Sequence, residues 1–273
     1  MRYFGGKSKI AKNISQYINN IIEKGNYICN ISEENKESQN ISLKKSIELP
    51  AHTHYVEPFC GSCNVASKVN TKYKTLNDKH PYLIAMFQAL QEGWIPPEVV
   101  TEEDYYIAKK NMDKEPHMAG FVGFACSFAG KWFGGYARDS KGGGTGNYAL
   151  RGKNSILKKM QGLMNAEFIS KDFRELDFED SIIYCDPPYK DTTQYNKTLL
   201  GTFPYDEFIE WVKEQSKKNI VLVSEYKYNI PEDAYIVLEI PSRTSIRDKT
   251  GNVIETVEVL YTYNKELLNK NIK

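Results

Sequence analysis

Between residues 8 and 24 the apolar positions Ile10, Ala11, Ile14, Tyr17, Ile18, Ile21 and Ile22 recur at spacings of three and four. This predicts an amphipathic helix with Ser8 as N-cap and Gly25 as its stop. Residues 26–53 then turn polar and aperiodic and read as an exposed insertion. A short strand over 55–59 runs into a glycine turn, followed by a helical pattern over 65–70 and a second strand over 74–78. Helices are predicted over 82–92 and 102–113. After a glycine-rich stretch come a helix near 154–165, a strand near 167–170 and an apolar strand over 181–185. The chain closes as helix 206–218 and strands 220–224, 235–240 and 254–263. Strands alternating with helices imply an α/β fold, a mostly parallel sheet covered on both faces and ending in an antiparallel hairpin. No internal repeat is visible.

Composition adds few constraints. The chain has 273 residues, 41% hydrophobic and 26% charged, which suits one large globular domain or a core with an insert. Its longest uninterrupted aliphatic run, 220–223, is strand-sized, and the basic start at 1–7 leads into no hydrophobic region. No membrane span or secretory signal is expected, and a cytoplasmic location is.

The net charge of +1 argues at first against nucleic acid. Its distribution reverses that. Residues 118–166 carry Lys131, Arg138, Lys141, Arg151, Lys153, Lys158 and Lys159 against Asp139 alone, a net +6 that leaves −5 for the remainder. The same segment is rich in glycine and in aromatics, Trp132 among them. Cations attract phosphates and aromatic rings stack on bases, so the segment reads either as a nucleic-acid surface or as a solvated loop over an aromatic core.

Five cysteines without a secretory signal point to free thiols. Cys60 and Cys63 have dithiol or half-zinc-site spacing, but His52, His54, Cys126 and Cys185 supply no second pair, so no metal is expected.

Three stretches carry candidate chemistry. Asp186-Pro187-Pro188-Tyr189 directly follows an apolar strand, where open α/β sheets place ligands. A carboxylate, carbonyls fixed by prolines and a flat ring suit a planar group bearing an amine; the plain alternative is a strand stopped by prolines with Asp as a cap. Glu57-Pro58-Phe59-Cys60-Gly61 followed by Asn77-Asp78 gives a glycine turn and an acid at the next strand's tip, a nucleoside-cofactor geometry in which the acid takes ribose hydroxyls. Phe4-Gly5-Gly6-Lys7-Ser8 ends like a phosphate-binding loop, but its first glycine would fall on Met1 and no strand precedes it. An NTPase reading fails, and an anion-favouring helix start remains.

These motifs, with Tyr3 before the first and Pro241-Ser242-Arg243-Thr244-Ser245-Ile246 leading to Glu258-Val259-Leu260-Tyr261, make the chain similar to Dam-type (D12 class) DNA adenine-N6 methyltransferases. The resemblance implies a Rossmann-like S-adenosyl-L-methionine-dependent catalytic domain, mostly parallel with a terminal antiparallel hairpin, plus a mainly helical inserted target-recognition domain. By it, residues 1–80 (with the insert at 26–53) and 166–273 form the catalytic domain, and 81–165 read double-stranded DNA. Glu57, Pro58, Phe59 and Gly61 would flank the cofactor's methionine part, Asp78 its ribose, and Asp172 and Phe173 its adenine. Tyr3 and Lys7 would lie near cofactor and DNA, and Asp186 would touch the cofactor as well as the base. Lys131, Trp132, Arg138, Arg151, Lys153, Tyr195 and Arg243 would complete the DNA contacts. Restriction-modification is among the settings such enzymes serve. The chain departs from the family where another glycine is usual, at Cys63 or Asn64, and the backbone there is expected to differ. The insert is also longer than usual.

The implied reaction is methylation of a flipped-out adenine, with Asp186, Pro187, Pro188 and Tyr189 as the catalytic tetrad and Tyr189 stacking on the base. Two rivals stand beside it: an amine methyltransferase acting on RNA or protein glutamine, where Asn commonly replaces Asp186, and a DNA-binding or dithiol protein without methyl transfer. Cytosine-C5 chemistry is disfavoured because no Pro-Cys pair occurs.

Overall fold

A computed structural model describes residues 10–24, 26–32, 42–48, 53–138, 146–189, 201–247 and 253–268. The strands are β1 (Asn26–Ser32), β2 (Ser42–Glu48), β3 (His54–Glu57), β4 (Lys74–Asn77), β5 (Glu167–Ile169), β6 (Ser181–Cys185), β7 (Ile220–Tyr226), β8 (Tyr235–Arg247) and β9 (Val253–Thr262). The helices are α1 (Ala11–Lys24), α2 (Pro81–Gln91), α3 (Glu102–Lys110), α4 (Pro116–Ala125), α5 (Tyr148–Met160) and α6 (Tyr205–Ser216). Seven strands form one sheet in the order β5-β4-β3-β6-β7-β9-β8. β5, β4, β3, β6 and β7 run parallel, and β9 is antiparallel to both β7 and β8. The mixed α/β architecture with its closing hairpin matches the expectation, and it is compatible with a methyltransferase fold.

Alternation along the apolar strands sorts side chains onto two covered faces. Tyr55, Ile182, Tyr184, Ile220, Leu222 and Leu260 enter one core with Ile14, Ile18 and Ile21 of α1 and the buried residues of α2, α4 and α5. Val56, Ile183, Cys185, Val221, Val223 and Tyr261 enter the other, with Phe208 and Val212 of α6. The helices between 81 and 165 therefore pack into the same cluster as α1 and one face of the sheet.

Four local expectations change. The stretch at 26–53 is not structureless: β1 and β2 pair antiparallel from Asn26↔Glu48 to Ser32↔Ser42, on sequences rich in β-branched and aromatic residues (Tyr27, Ile28, Ile31, Ile47). The helix expected over 65–70 is a single 3₁₀ turn, Ala66–Lys68. Asn19 of α1 closes it, donating to Lys68 O (3.1 Å) and accepting from Asn70 N (2.7 Å). α5 begins at Tyr148, six residues before the expected start, because Asn147 caps it by accepting from Leu150 N. β8 runs on through Pro241 to Arg247, with a register shift after Pro241 that accommodates the ring. Ser8 and Gly25 lie outside the described residues.

α4 has no counterpart in the sequence reading. Ala119 to Ala125 are all buried, so the helix shows no polar face, and Gly120 and Gly123 are contact points instead of loop signals. A Cβ at Gly120 would lie 2.0 Å from Tyr82 O, and one at Gly123 2.4 Å from the Trp132 ring. Gly120→Ala is expected to destabilise the fold by about 1–3 kcal/mol, because backbone and not a flexible side chain blocks the methyl. A thermal melt checks it; an unchanged midpoint would show that α4 and α2 are not in close contact.

Candidate active site

From β3 the chain steps outward to β4 and β5, then returns to pair β6 on β3's other side. Strand order reverses between β3 and β6, and the crevice beyond the carboxyl ends of such strands is where open α/β sheets bind ligands. The turn after β3 and the Asp186 tetrad after β6 both stand there.

The turn is fastened from β4. Cys60 N donates to Asn77 O (2.7 Å), and Asn77 Nδ2 donates to Pro58 O (2.8 Å). Asp78 accepts from Gly61 N on Oδ2 (2.9 Å) and from His80 N on Oδ1 (3.0 Å). Gly61 has φ +47° and Cys63 φ +53°. The left-handed step at the departure from the family pattern thus falls on Cys63 and not on Asn64, and the turn keeps a conformation that glycine adopts without strain. Burial raises Asp78 to about 6, while its two N–H bonds hold it down.

Glu57 is buried, and its Oε1 accepts from Tyr55 OH (2.6 Å). Burial raises it to about 8; the Tyr55 hydroxyl and the Ala66 N–H pull it down, and Asp186 pushes it further up. That charge effect of Asp186 on Glu57 is the electrostatic sign that the β3 and β6 ends lie close together. Lys159 of α5 donates to Ser62 O (2.6 Å), and burial lowers it to about 8.

After β6, Asp186 stays half-buried while Tyr189 is buried. Pro188 O accepts from Tyr205 OH of α6 (2.6 Å), and Tyr189 OH donates to Glu258 Oε2 of β9 (3.1 Å). The Tyr189 ring stands edge-on to Tyr226, with centroids 4.7 Å apart at 82°. Reasoning from the sequence did not find Lys159, Tyr205 or Glu258 as parts of this site. Only Glu258 had a signal, as a member of the tail motif.

The structure thus gathers Glu57, Pro58, Phe59, Gly61, Asp78, Asp186, Pro187, Pro188 and Tyr189 at one sheet edge. Asp172 and Phe173 follow β5 on that edge. Asp172 caps a 3₁₀ turn and is paired with Arg174 (2.8 Å) and Lys79 (2.9 Å), chiefly Arg174 holding its carboxyl well below the usual range. Phe173 and Phe59 pack together at 5.8 Å, both against Phe203. Among the expected DNA contacts, Arg138 is paired with Glu102 and Lys153 with Glu98 (2.9 Å). Trp132 stacks on Tyr82 (5.3 Å, 17°) and meets His80 at 4.2 Å. Lys131 and Arg151 are exposed, Arg151 lying over the Tyr148 ring. Tyr3, Lys7 and Tyr195 lie outside the described residues, and Arg243 lies in β8 where the backbone alone is described.

Burial is the main cause that pushes the Cys60 thiol well above its ordinary value, which disfavours a dithiol redox centre. Among the described residues no group of three or more His, Cys, Asp or Glu is placed to hold a metal, and no helix is long and apolar enough to cross a membrane.

Residues 35–123 match the family described as D12 class N6 adenine-specific DNA methyltransferase. The match indicates an adenine-specific DNA methyltransferase. It carries the Glu57 turn and Asn77-Asp78; the Asp186 tetrad lies beyond it. No curated protein matches the chain.

Glu57 titrates at about 8 when folded against 4.5 for the free side chain, so the unfolded chain ionises first as pH rises. Its neutral form then contributes stability fully present below 4.5 and lost as pH climbs through about 8. Glu57→Gln should flatten the fall in unfolding free energy between those limits. Parallel pH profiles for the two proteins in denaturant titrations would contradict this.

Proposed function

We propose that the chain is a site-specific DNA adenine-N6 methyltransferase that transfers a methyl group from S-adenosyl-L-methionine to an adenine flipped out of duplex DNA. The observation that carries the reading is the meeting of the Glu57 turn and the Asp186 tetrad where strand order reverses. The residues present fit that cofactor. Asp186 offers a carboxyl to a cation beside the buried Glu57, Asp78 offers carboxylate oxygens to a ribose diol, and half-buried Phe59 offers an aromatic wall. Phe173 flanks that wall, and Asp172 holds its turn through Arg174 and Lys79.

When bound, the cofactor supplies a methyl group made electrophilic by its sulfonium. The exocyclic amine of adenine is a poor nucleophile because its lone pair is delocalised into the ring. Asp186 and the Pro187 carbonyl accept its two N–H groups, which favours tetrahedral nitrogen and localises that pair. Such a reaction needs positioning and charge stabilisation more than a strong base. Tyr189 offers its ring to the flipped base, and Tyr205 fixes the Pro188 carbonyl beside it. Residues 81–165 form the DNA-reading part in this reading, with exposed Lys131 and Arg151 meeting phosphates. The Asp186 carboxylate, with the family match, favours adenine in DNA over RNA or protein glutamine.

Incorporation of labelled methyl from the cofactor into DNA, followed by modified-base sequencing, tests the reading; label in RNA or protein alone would replace it. Asp186→Ala should abolish transfer, by about a hundredfold or more, while DNA binding survives. Full activity in that variant would remove Asp186 from the chemistry. Arg151→Glu should weaken DNA binding across sequences and reduce the salt slope by about one or more. An unchanged slope would place the DNA elsewhere.

A further inference from the structure

We infer that Glu258 and Tyr226, which face each other across the β7·β9 ladder, form a cradle that positions Tyr189 for the target base. The inference rests on the reading of the Asp186 tetrad given above. Tyr226 and Glu258 are direct antiparallel partners, and partners in such a pair project to the same face of the sheet. Tyr189 meets both: its hydroxyl donates to Glu258 Oε2 at 3.1 Å, and its ring stands 4.7 Å from Tyr226 at 82°. One contact fixes the far end of the side chain and the other fixes the plane of the ring, so two restraints define its orientation. Tyr226 in turn lies nearly parallel to Tyr228, 5.5 Å away at 14°.

Burial makes the hydroxyl contact matter. Tyr189 is 7% exposed, and a phenol so enclosed needs an acceptor. A carboxylate accepts more strongly than a neutral oxygen. A base stacked on Tyr189 would otherwise meet a ring free to tilt. Glu258 comes from the closing hairpin and Tyr226 from the end of the parallel strand β7, neither from the segment that bears the tetrad, so the pair acts through Tyr189.

The test is a double-mutant cycle with Glu258→Ala, Tyr189→Phe and both together, read in kcat, in KM for DNA and in denaturation midpoint. A duplex carrying the methylated site, with 2-aminopurine at the target, reports the placement of the base. Glu258→Ala should lower kcat about tenfold and change the 2-aminopurine signal, with affinity for the cofactor retained. Tyr189→Phe should lower kcat comparably, and the double variant should be no worse than either single. Glu258→Gln, which keeps an acceptor oxygen, should recover to within about threefold. Additive effects on both kcat and stability would overturn the cradle. Coupled stability with kcat and fluorescence unmoved would overturn the positioning role. If the wild-type protein methylates no DNA, the function proposed above falls, and the stability cycle alone still decides whether Glu258 and Tyr189 are coupled.

Discussion

The buried carboxylate of Asp78 ties together three elements that the chain delivers from different directions. One oxygen takes the Gly61 N–H from the turn after β3, and the other takes the His80 N–H at the start of α2. Asp78 itself directly follows β4. Without it, Gly61 would present a donor from a left-handed backbone into a buried space, and leaving such a group unmade costs about 1–3 kcal/mol. Asn77, one residue earlier, closes the same joint by donating to Pro58 O and Lys171 O and accepting from Lys171 N. The crevice at the strand-order reversal therefore has walls set by buried hydrogen bonds to backbone, which leaves Phe59 and Asp186 half-buried at its mouth.

Charge follows the tertiary structure more than the sequence window. Of the seven cations counted over 118–166, Lys141 lies outside the described residues, and the other six do not act as a block. Arg138 and Lys153 are paired with Glu102 and Glu98 from outside that window, and Lys159 turns inward to Ser62 O. Lys131, Arg151 and Lys158 remain exposed. A neutral total concealed a basic segment, and the fold partly neutralises that segment again, so DNA would meet a few placed cations in place of a field of +6. In the crevice the opposite holds: Glu57 is held mostly protonated at neutral pH by burial and by Asp186, which spares the core an unpaired charge.

How much of this was legible from the sequence varies by element. β6 and β7 were plain because buried parallel strands are continuous apolar runs, and α1 was plain because only one of its faces is buried. The placement of Asp186 after β6 and Asp78 after β4 followed from those strands. α4 was not legible, because a helix buried all round has no stripe and its glycines are indistinguishable from loop glycines until Tyr82 and Trp132 are seen against them. Trp132 read as a base-stacking ring for the same reason, and it stacks on Tyr82 within the protein. The inward reach of Lys159 and the grip of Glu258 on Tyr189, 69 residues apart, depend on topology that no local pattern encodes.

The antiparallel closing strand explains why such a distant residue arrives at the site. A parallel neighbour of β7 would bring its own last residues to the carboxyl edge and then leave by a loop. β9 runs the other way, so its middle residue, Glu258, lies opposite Tyr226 at the end of β7. The hairpin continues beyond that pair, through Ser245↔Glu255 to Arg247↔Val253, after the register shift that follows Pro241. It therefore extends past the carboxyl edge where Asp186 stands, carrying the backbone of Arg243 with it. A sheet of parallel strands could supply the turn, the acid and the tetrad. Only a strand entering from the opposite direction can hold the tetrad's tyrosine from beyond the edge.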